Sequence, residues 1–369
     1  MPQPTTTRQD TYTWFENLTG LEEFEWLHQR QHSIQQAPNG DLQIRNLHTG
    51  DCYEAGHFSV FSLQELSQHT SPSVATLPPF EVHFRTDNHG KPHVDVAYLQ
   101  ARANDQTLFQ VASNFNCAEV AHAQVAPDNG YFVSNLAIDS TQGPAASASG
   151  GVSAITRIHA PFYDPQTAPD TWGQTLSRQV ELLGHPLVKP HFPVINGKLI
   201  FNGREPQTYN TSELLPHIRV GLHRRVRAYF GQRTPPYMEK ITNPPIIDQV
   251  FVAALNHRAP RPHEHHLTSK TQFLLDAAYQ GTYQAARRCQ SPSMVLTLIG
   301  GGSFGNPPEL IAQAIAKAHK QFSNCPSLKK VILPIYPAFG HVQGVNFLEL
   351  ITEAFTAEGI ADRLQIKEV

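Results

Sequence analysis

Alternating apolar and polar runs divide the second half of the chain into pairs of one strand and one helix. Apolar, β-branched runs predict strands at 247–254, 295–299 and 330–335, and amphipathic stretches predict helices at 268–288, 308–322 and 346–357. Strands that alternate with helices of this length are typical of βα units in a mostly parallel sheet covered on both faces. The second half of the chain therefore predicts an α/β fold with a mixed, mostly parallel sheet.

The first half has a less regular pattern. It predicts strands at 81–85, 93–99 and 108–112, and helices at 62–68, 144–158 and 172–183. Asn196-Gly197 lies between two apolar runs and is the dipeptide typical of a tight β-hairpin. We expect residues 1–75 to be an N-terminal extension packed on a main domain of residues 76–369, with an insertion at about 160–245.

The overall composition points to local recognition of any charged ligand. The 28 basic and 31 acidic residues nearly balance, so no basic surface for nucleic acid is indicated. The four cysteines are scattered without a CxxC pair, and the His263-Glu264-His265-His266 run lacks the spacing of a helical zinc site, so we expect no metal and no cofactor. A polar N-terminus and short apolar runs predict no membrane insertion. We expect a cytoplasmic protein, or one secreted into a host cytoplasm without a cleaved signal peptide.

One glycine-rich turn lies between a predicted strand and a predicted helix. A leucine-rich strand ends at Ile299, the helix begins near Pro308, and the turn between them consists of Gly300, Gly301, Gly302, Ser303, Phe304, Gly305 and Asn306. Glycines permit close approach of the backbone, and a helix N-terminus offers free N–H groups with the positive end of its dipole. The turn therefore predicts a phosphate-binding loop. The alternative is a tight turn without a ligand.

A second segment of small residues occupies 139–152. Its candidate ligand-binding residues are Gln142, Gly143, Gly150, Gly151 and Val152, and it begins with the acidic residue Asp139. Small side chains let a ligand lie against the backbone, although they also allow close packing of helices. A diphosphate needs donors from both sides, so we expect 143–151 and 300–305 to face each other across the carboxyl edge of the sheet.

Polar residues follow directly on the buried strand at 108–112. Asn114, Asn116 and Glu119 come after its carboxyl end, where ligands bind in open α/β sheets. Asparagine side chains can hold ribose hydroxyls, and Glu119 or Asp139 could act as acid or base at an anomeric carbon. The alternative is an ordinary polar start of a helix.

At these residues the chain resembles the macro domain family, an ADP-ribose-binding α/β/α module. It is most similar to a divergent branch with the patterns FQVASxFNxxE, TQGPA and LxxLGGGxFGN, which lie here at 109–119, 141–145 and 296–306. That branch includes bacterial effector enzymes that remove ADP-ribose from arginine. The resemblance implies a three-layer α/β/α sandwich, and ADP-ribose or an ADP-ribosylated protein as the partner.

The resemblance also implies roles for particular residues. Asp95 corresponds to the family's adenine-binding aspartate, and Asn116 to the asparagine near the distal ribose. The loops at 143–151 and 300–304 correspond to the two phosphate loops, with Phe304 as the stacking aromatic residue. The chain departs from the family's pattern in that Asn114-Phe115-Asn116 replaces Asn-Ala-Ala-Asn, and Val94 stands where the family has glycine.

Together these features favour an ADP-ribosyl hydrolase. Glu119 or Asp139 would stabilise an oxocarbenium-like carbon while water attacks, and Asn116 and Gln142 would hold ribose hydroxyls. Two alternatives stay open. The first is a non-catalytic reader of ADP-ribose or of a nucleotide metabolite, and the second is an interaction protein whose glycine segments are only tight turns.

Overall fold

A computed structural model describes most of the chain, namely residues 5–68, 76–85, 94–119, 133–139, 141–201, 205–206, 208–259, 266–335, 341–342 and 345–369. No helix within these ranges is long and apolar enough to cross a membrane.

The strands are, in chain order, β1 (Thr6–Asp10), β2 (Ile34–Gln36), β3 (Leu42–Arg45), β4 (Cys52–Ser62), β5 (Phe80–Phe84), β6 (Leu108–Ala112), β7 (Val194–Ile195), β8 (Lys198–Leu199), β9 (Arg219–Arg227), β10 (Phe230–Thr234), β11 (Tyr237–Ile241), β12 (Ile246–Val252), β13 (Ser293–Val295), β14 (Lys330–Pro334), β15 (His341–Val342), β16 (Val345–Asn346) and β17 (Leu364–Glu368). The α-helices are α1 (Trp14–Thr19), α2 (Glu23–Ser33), α3 (Leu63–Ser67), α4 (Val96–Ala101), α5 (Gln142–Ser149), α6 (Val152–His159), α7 (Thr211–Leu214), α8 (Leu267–Cys289), α9 (Pro308–Phe322) and α10 (Phe347–Ala357).

One large mixed sheet organises the fold. Within the described ranges it has ten strands in the order β17-β5-β14-β13-β6-β12-β9-β4-β3-β2. The strands from β17 to β12 are parallel to their neighbours, and those from β9 to β2 pair antiparallel. Helices flank this sheet, so the fold is an α/β sandwich with a mixed, mostly parallel central sheet, as the sequence predicts.

Alternating side chains on the central strands show which helices cover each face. Gln110 of β6 donates to Thr282 of α8 over 2.8 Å, whereas Gln249 of β12 donates to the Ala146 carbonyl of α5 over 2.9 Å. Because Gln249 pairs with Phe109, the residue next to Gln110, the two glutamines point to opposite faces. Helices α8, α9 and α10 contact one another in series, as do α4, α5 and α6.

The chain before β4 packs on the helix α6 through aromatic side chains. Trp14, Phe15 and Trp26 share an apolar cluster with Ile155 and Ile158. β9 lies between β12 and β4, so segments from both ends of the chain and from its middle share one sheet. The division into extension, main domain and insertion stays a prediction.

The carboxylate of Glu23 ties this N-terminal part to the segment that precedes the small-residue helix α5. Glu23 accepts bonds of 2.8 Å from the backbone N–H groups of Val133 and Ser134, and its Oε1 lies 2.7 Å from the Nε2 of His159. Burial would raise the pKa of Glu23, yet the bond and charge of His159 and the two N–H groups lower it overall. The carboxylate therefore stays ionised inside the fold.

Several predicted elements differ from the structure: the strand predicted at 295–299 ends at Val295 as β13, the helix predicted at 144–158 is divided into α5 and α6, and two further elements are wrong. The predicted strand at 93–99 is instead the helix α4, because the Asp95 carboxylate caps it by accepting the Tyr98 N–H over 2.9 Å. The predicted helix at 172–183 is irregular. There, the N–H groups of Gln174 and Leu182 donate to the carbonyls of Ile158 and Phe115, so distant partners replace the bonds of a helix. The predicted hairpin forms as β7 and β8 around Asn196-Gly197.

Candidate functional site

A cavity of about 300 Å³ opens at the carboxyl edge of the parallel strands. Its walls come from the ends of β6 and β14, from the residues after β12 and β13, and from the start of α5; the lining residues are Ala112, Ser113, Glu119, Thr141, Gln142, Gly143, Pro144, Ala254, Thr297, Leu298, Ile299, Gly300, Gly302, Ser303, Phe304 and Pro334. This volume is at the lower end of the range of about 300–1,000 Å³ for small-molecule sites. The cavity lies where open α/β sheets bind ligands.

The glycine turn after β13 forms one wall and offers backbone donors. Gly302, Ser303 and Phe304 line the cavity, and their N–H groups donate to no acceptor in the described part of the chain. The turn itself is fixed, since the Gly305 N–H donates to the Gly302 carbonyl and the Asn306 N–H to the Gly300 carbonyl, both over 3.0 Å. A fixed turn with free donors is a ready-made anion site.

Gly300 cannot be replaced without moving this turn. Its φ of +73° lies in the left-handed region, and a Cβ there would overlap the Nδ2 atom of Asn306 and lie 2.9 Å from the Cβ of Ala254. Asn306 is fully buried behind Gly300, outside the lining. Gly301 packs on Ile311 of α9. Of the predicted phosphate loop, Gly300 and residues 302–304 thus line the cavity, whereas Gly301, Gly305 and Asn306 do not.

The N-terminus of α5 forms another part of the cavity wall. Gln142 and Gly143 are its first two residues and line the cavity, and their N–H groups have no described acceptor. Asp139 orients the residue before α5, because its Oδ1 accepts the N–H and the hydroxyl of Thr141 over 2.7 and 2.6 Å. Asp139 is itself exposed and does not line the cavity. Both segments therefore contribute residues with unbonded N–H groups, among the residues described, to the lining of one cavity.

Gly143 allows α5 to approach the end of β6 and the Glu119 side chain. A Cβ at Gly143 would overlap both the Ala112 carbonyl oxygen and the Oε1 of Glu119. Helix, strand end and carboxyl group therefore meet without a side chain between them. Glu119 is the one acidic residue among those lining the cavity.

The surroundings of Glu119 favour its protonated form. Burial and, to a smaller extent, the charge of Asp139 raise the pKa of Glu119 to about 8, although the charges of Arg157 and Lys198 oppose this rise. A carboxyl group with such a pKa holds its proton at neutral pH and is suited to donate it. Glu119 thus combines a position in the cavity wall with the pKa of a general acid.

The other polar residues after β6 hold their own loop. The Asn116 Nδ2 donates to Gln179 over 3.1 Å, its Oδ1 accepts the Ala118 N–H over 3.2 Å, and the Asn114 N–H donates to the Ala118 carbonyl over 3.0 Å. Neither asparagine lines the cavity. Their predicted ribose contacts stay predictions, and the bonds observed here serve to place Glu119.

Several other predicted ligand residues lie away from the cavity. Asp95 caps α4, outside the lining. Gly150, Gly151 and Val152 follow the C-terminal end of α5, which is about 12 Å from its N-terminal end for a helix of eight residues. A Cβ at Gly150 would meet the Val226 side chain, and Val152 is fully buried. Residues 263–265 lie outside the described ranges.

The structure also brings in residues that the sequence pattern did not single out. Thr297 lines the cavity, and its hydroxyl has no hydrogen-bond partner among the described residues; nor does the Oε1 of Gln142. The Arg258 guanidinium lies against Gly305 of the glycine turn. Lys198 and Arg157 are within electrostatic reach of Glu119. Only the position of Thr297 at a strand end offered a signal in the sequence.

Comparison with known proteins found similarity at the level of structure only. No protein-family model and no curated protein matches the chain. The chain is similar to a solved poly(ADP-ribose) glycohydrolase from Thermomonospora curvata, with 14% identity, a TM-score of 0.44, and coverage of 94% of this chain and 99% of that one. For the same enzyme bound to the inhibitor ADP-HPD, the identity is 13% and the TM-score 0.43, with coverage of 94% of this chain and 99% of that one. For the poly(ADP-ribose) glycohydrolase from Deinococcus radiodurans in complex with ADP-ribose, the identity is 14% and the TM-score 0.41, with coverage of 82% of this chain and 95% of that one. Likenesses with TM-scores this low assign neither a family nor an activity to the chain.

Proposed function

We propose that the chain binds ADP-ribose in this cavity and hydrolyses the glycosidic bond that joins ADP-ribose to a protein side chain. One observation carries the proposal. Residues 142–143 and 302–304, whose backbone N–H groups have no acceptor among the residues described, line the same cavity of about 300 Å³, and Glu119 forms part of its wall.

The donors suit a diphosphate. Phosphate oxygens accept several N–H bonds at once, and the N-terminus of α5 adds the positive end of a helix dipole. Arg258 beside Gly305 supplies a positive charge at the second wall. A ligand with a single phosphate would engage only one wall, whereas a diphosphate can bridge the two.

Glu119 is suited to the chemical step. In hydrolysis the bond between the anomeric carbon and the leaving group breaks, the leaving atom takes a proton from the acid, and water adds its oxygen to the carbon while its released proton returns to the carboxylate. Glu119, with its pKa raised to about 8 by burial, holds the proton for the leaving group at neutral pH. Asp139 is the second carboxyl group near this end, and its charge acts on Glu119 from outside the cavity lining.

We further propose that the leaving group is an arginine guanidine and that one ADP-ribose is removed at a time. The support is the set of motifs at 109–119, 141–145 and 296–306, which resemble the macro domain branch that acts on arginine. A guanidine leaving group is a strong base, so a proton donor at its nitrogen lowers the barrier to departure.

Calorimetry and turnover together test the proposal. ADP-ribose should bind more tightly than ADP, AMP or NAD, and the protein should release ADP-ribose from arginine-modified protein. Glu119→Gln should reduce turnover by about 10²–10⁴-fold while ADP-ribose affinity stays within about threefold. The control is Glu353→Gln, which alters an exposed glutamate on α10.

Two outcomes would contradict the proposal. Absence of binding heat with ADP-ribose would leave the glycine segments as tight turns. Tight binding without turnover on arginine-, glutamate- and serine-linked substrates would identify a reader of ADP-ribose.

A further inference from the structure

Arg157 is a buried cation that the proposed binding and chemistry do not use directly. It lies on α6 with 1% of its surface exposed, and its Nη1 has no hydrogen-bond partner among the residues described. An unpaired donor on a buried charge is costly, and an apolar side chain of similar size would often be as stable or more so. Packing alone therefore does not explain an arginine at this position.

The contacts of Arg157 lead to the loop that carries Glu119. Its Nε donates to the Cys117 carbonyl over 3.0 Å, and its guanidinium lies 3.8 Å from the centre of the Phe251 ring. Cys117 has a φ of +58°, a left-handed conformation that a non-glycine residue adopts only when its surroundings hold it there. Glu119 follows two residues later, so this bond fixes the direction in which the chain reaches it.

Gln174 holds the same loop without a charge. Its Nε2 donates to the Asn116 carbonyl over 3.1 Å, and its Oε1 accepts the Val180 N–H over 3.0 Å. The carbonyls of Asn116 and Cys117 are thus held side by side, one by a neutral amide and one by a guanidinium. Comparing variants of Arg157 with variants of Gln174 therefore separates the effect of charge from the effect of loop position.

Among the titratable groups that interact with Arg157, Glu119 is the one whose charge changes near neutral pH. Burial lowers the pKa of Arg157 to about 10, so it is cationic at neutral pH. Burial raises the pKa of the Cys117 thiol to about 12 and lowers that of His223 well below its ordinary value, so both neighbours are neutral. On the side of Glu119, the groups within reach are Asp139, Arg157 and Lys198.

We propose that Arg157 is a positioning residue for Glu119: its buried guanidinium fixes the Cys117 carbonyl and keeps a positive charge within electrostatic reach of the Glu119 carboxyl. The inference deepens the proposed function and rests on it for the kinetic readout alone. Burial and Asp139 favour a protonated Glu119, and Arg157 limits that preference, so the group can both give up its proton and regain it near neutral pH.

The test follows the Glu119 carboxyl directly by ¹³C NMR in protein labelled at glutamate, with the signal assigned through Glu119→Gln. In Arg157→Met, which removes the charge at similar volume, the titration midpoint of Glu119 should rise by about one pH unit. Arg157→Lys retains a charge and Gln174→Met removes only a neutral donor, so both should leave the midpoint in place. If Arg157→Met does not fold, Arg157→Gln makes the same comparison.

Turnover supplies the second readout. Arg157→Met and Gln174→Met should each lower kcat by about tenfold with ADP-ribose affinity retained, but only Arg157→Met should move the alkaline limb of the pH profile upward. An unmoved midpoint in the methionine or glutamine variant overturns the inference, as does an equal shift in Gln174→Met. A wild-type protein that never hydrolyses its substrate but shows the predicted midpoints contradicts the proposed function and leaves Arg157 as the residue that tunes Glu119.

Discussion

The two glycine-rich segments look alike in the sequence but are used differently in the structure. The segment after β13 is a turn whose residues 302–304 line the cavity, with N–H groups that have no acceptor in the described part of the chain. The segment at 139–152 is mainly the helix α5, of which only the first residues reach the cavity, while Gly150 and Gly151 link α5 to α6 inside the core. The difference shows that small residues serve either ligand access or close packing, and that the position relative to a helix end decides which.

The largest effect should come from the turn. Gly300→Ala introduces a side chain at a φ of +73° and against Asn306, so the free energy of unfolding should fall by about 2–4 kcal/mol. ADP-ribose affinity should fall by about tenfold or more, because the turn must shift. Urea unfolding and calorimetry measure the two effects.

Gly359→Ala is the matched control for Gly300→Ala. Gly359 has a φ of +71°, but a Cβ there would contact nothing within 4 Å. It should cost only about 1–2 kcal/mol of stability and leave affinity unchanged. Equal loss of affinity in both variants would show that general destabilisation, and not the approach of Asn306, lowers the affinity.

A smaller effect should separate the two ends of α5. Gly143→Ala should push the Glu119 carboxyl away from its place against the helix and lower kcat by about tenfold. Gly150→Ala places a Cβ 3.1 Å from the Val226 Cγ1 at an ordinary helical conformation, so stability should change by about 1 kcal/mol and affinity and kcat should not. Similar kinetic losses in both variants would contradict the assignment of the two ends.

A separate effect should be the pH dependence that Glu119 adds to stability. Burial raises its pKa from 4.5 to about 8, so between these values the folded protein holds a proton that the unfolded chain has lost. The stability contributed at this residue should therefore decrease as pH rises from about 4.5 to about 8, and stay level above it. Glu119→Gln should remove this decrease in a series of denaturant unfolding curves. An unchanged pH dependence would indicate that Glu119 is already ionised at neutral pH.

The regular part of the fold was predictable because periodicity and burial agreed there. The run at 108–112 is the strand β6, and the predicted helix at 308–322 is α9. Prediction failed where local signals had distant competitors. At 172–183 the pattern is amphipathic, yet Gln174 and Leu182 bond to residues of other segments. At 93–99, the capping carboxylate of Asp95 outweighed an alternation that suggests a strand.

The candidate site was predictable from the sequence where chain order determines position. Residues that directly follow parallel strands meet at one edge, which places Glu119 and the turn at 300–304 together. Arg157 and Arg258 reach this edge from helix and loop positions that carry no local motif, so only the tertiary fold identifies them. The division of 139–152 between cavity and core likewise depends on where α5 begins.

The buried carboxylate of Glu23 makes the start of the chain part of the architecture around the cavity. Its three bonded groups, Val133, Ser134 and His159, would all lose an ionised acceptor if the chain were shortened to begin at β2. Such a shortened protein would keep the glycine turn and the sheet edge but lose the anchor that precedes Asp139. Trimming at the N-terminus, often chosen to improve crystals, would here loosen the part of the cavity wall that the start of α5 forms.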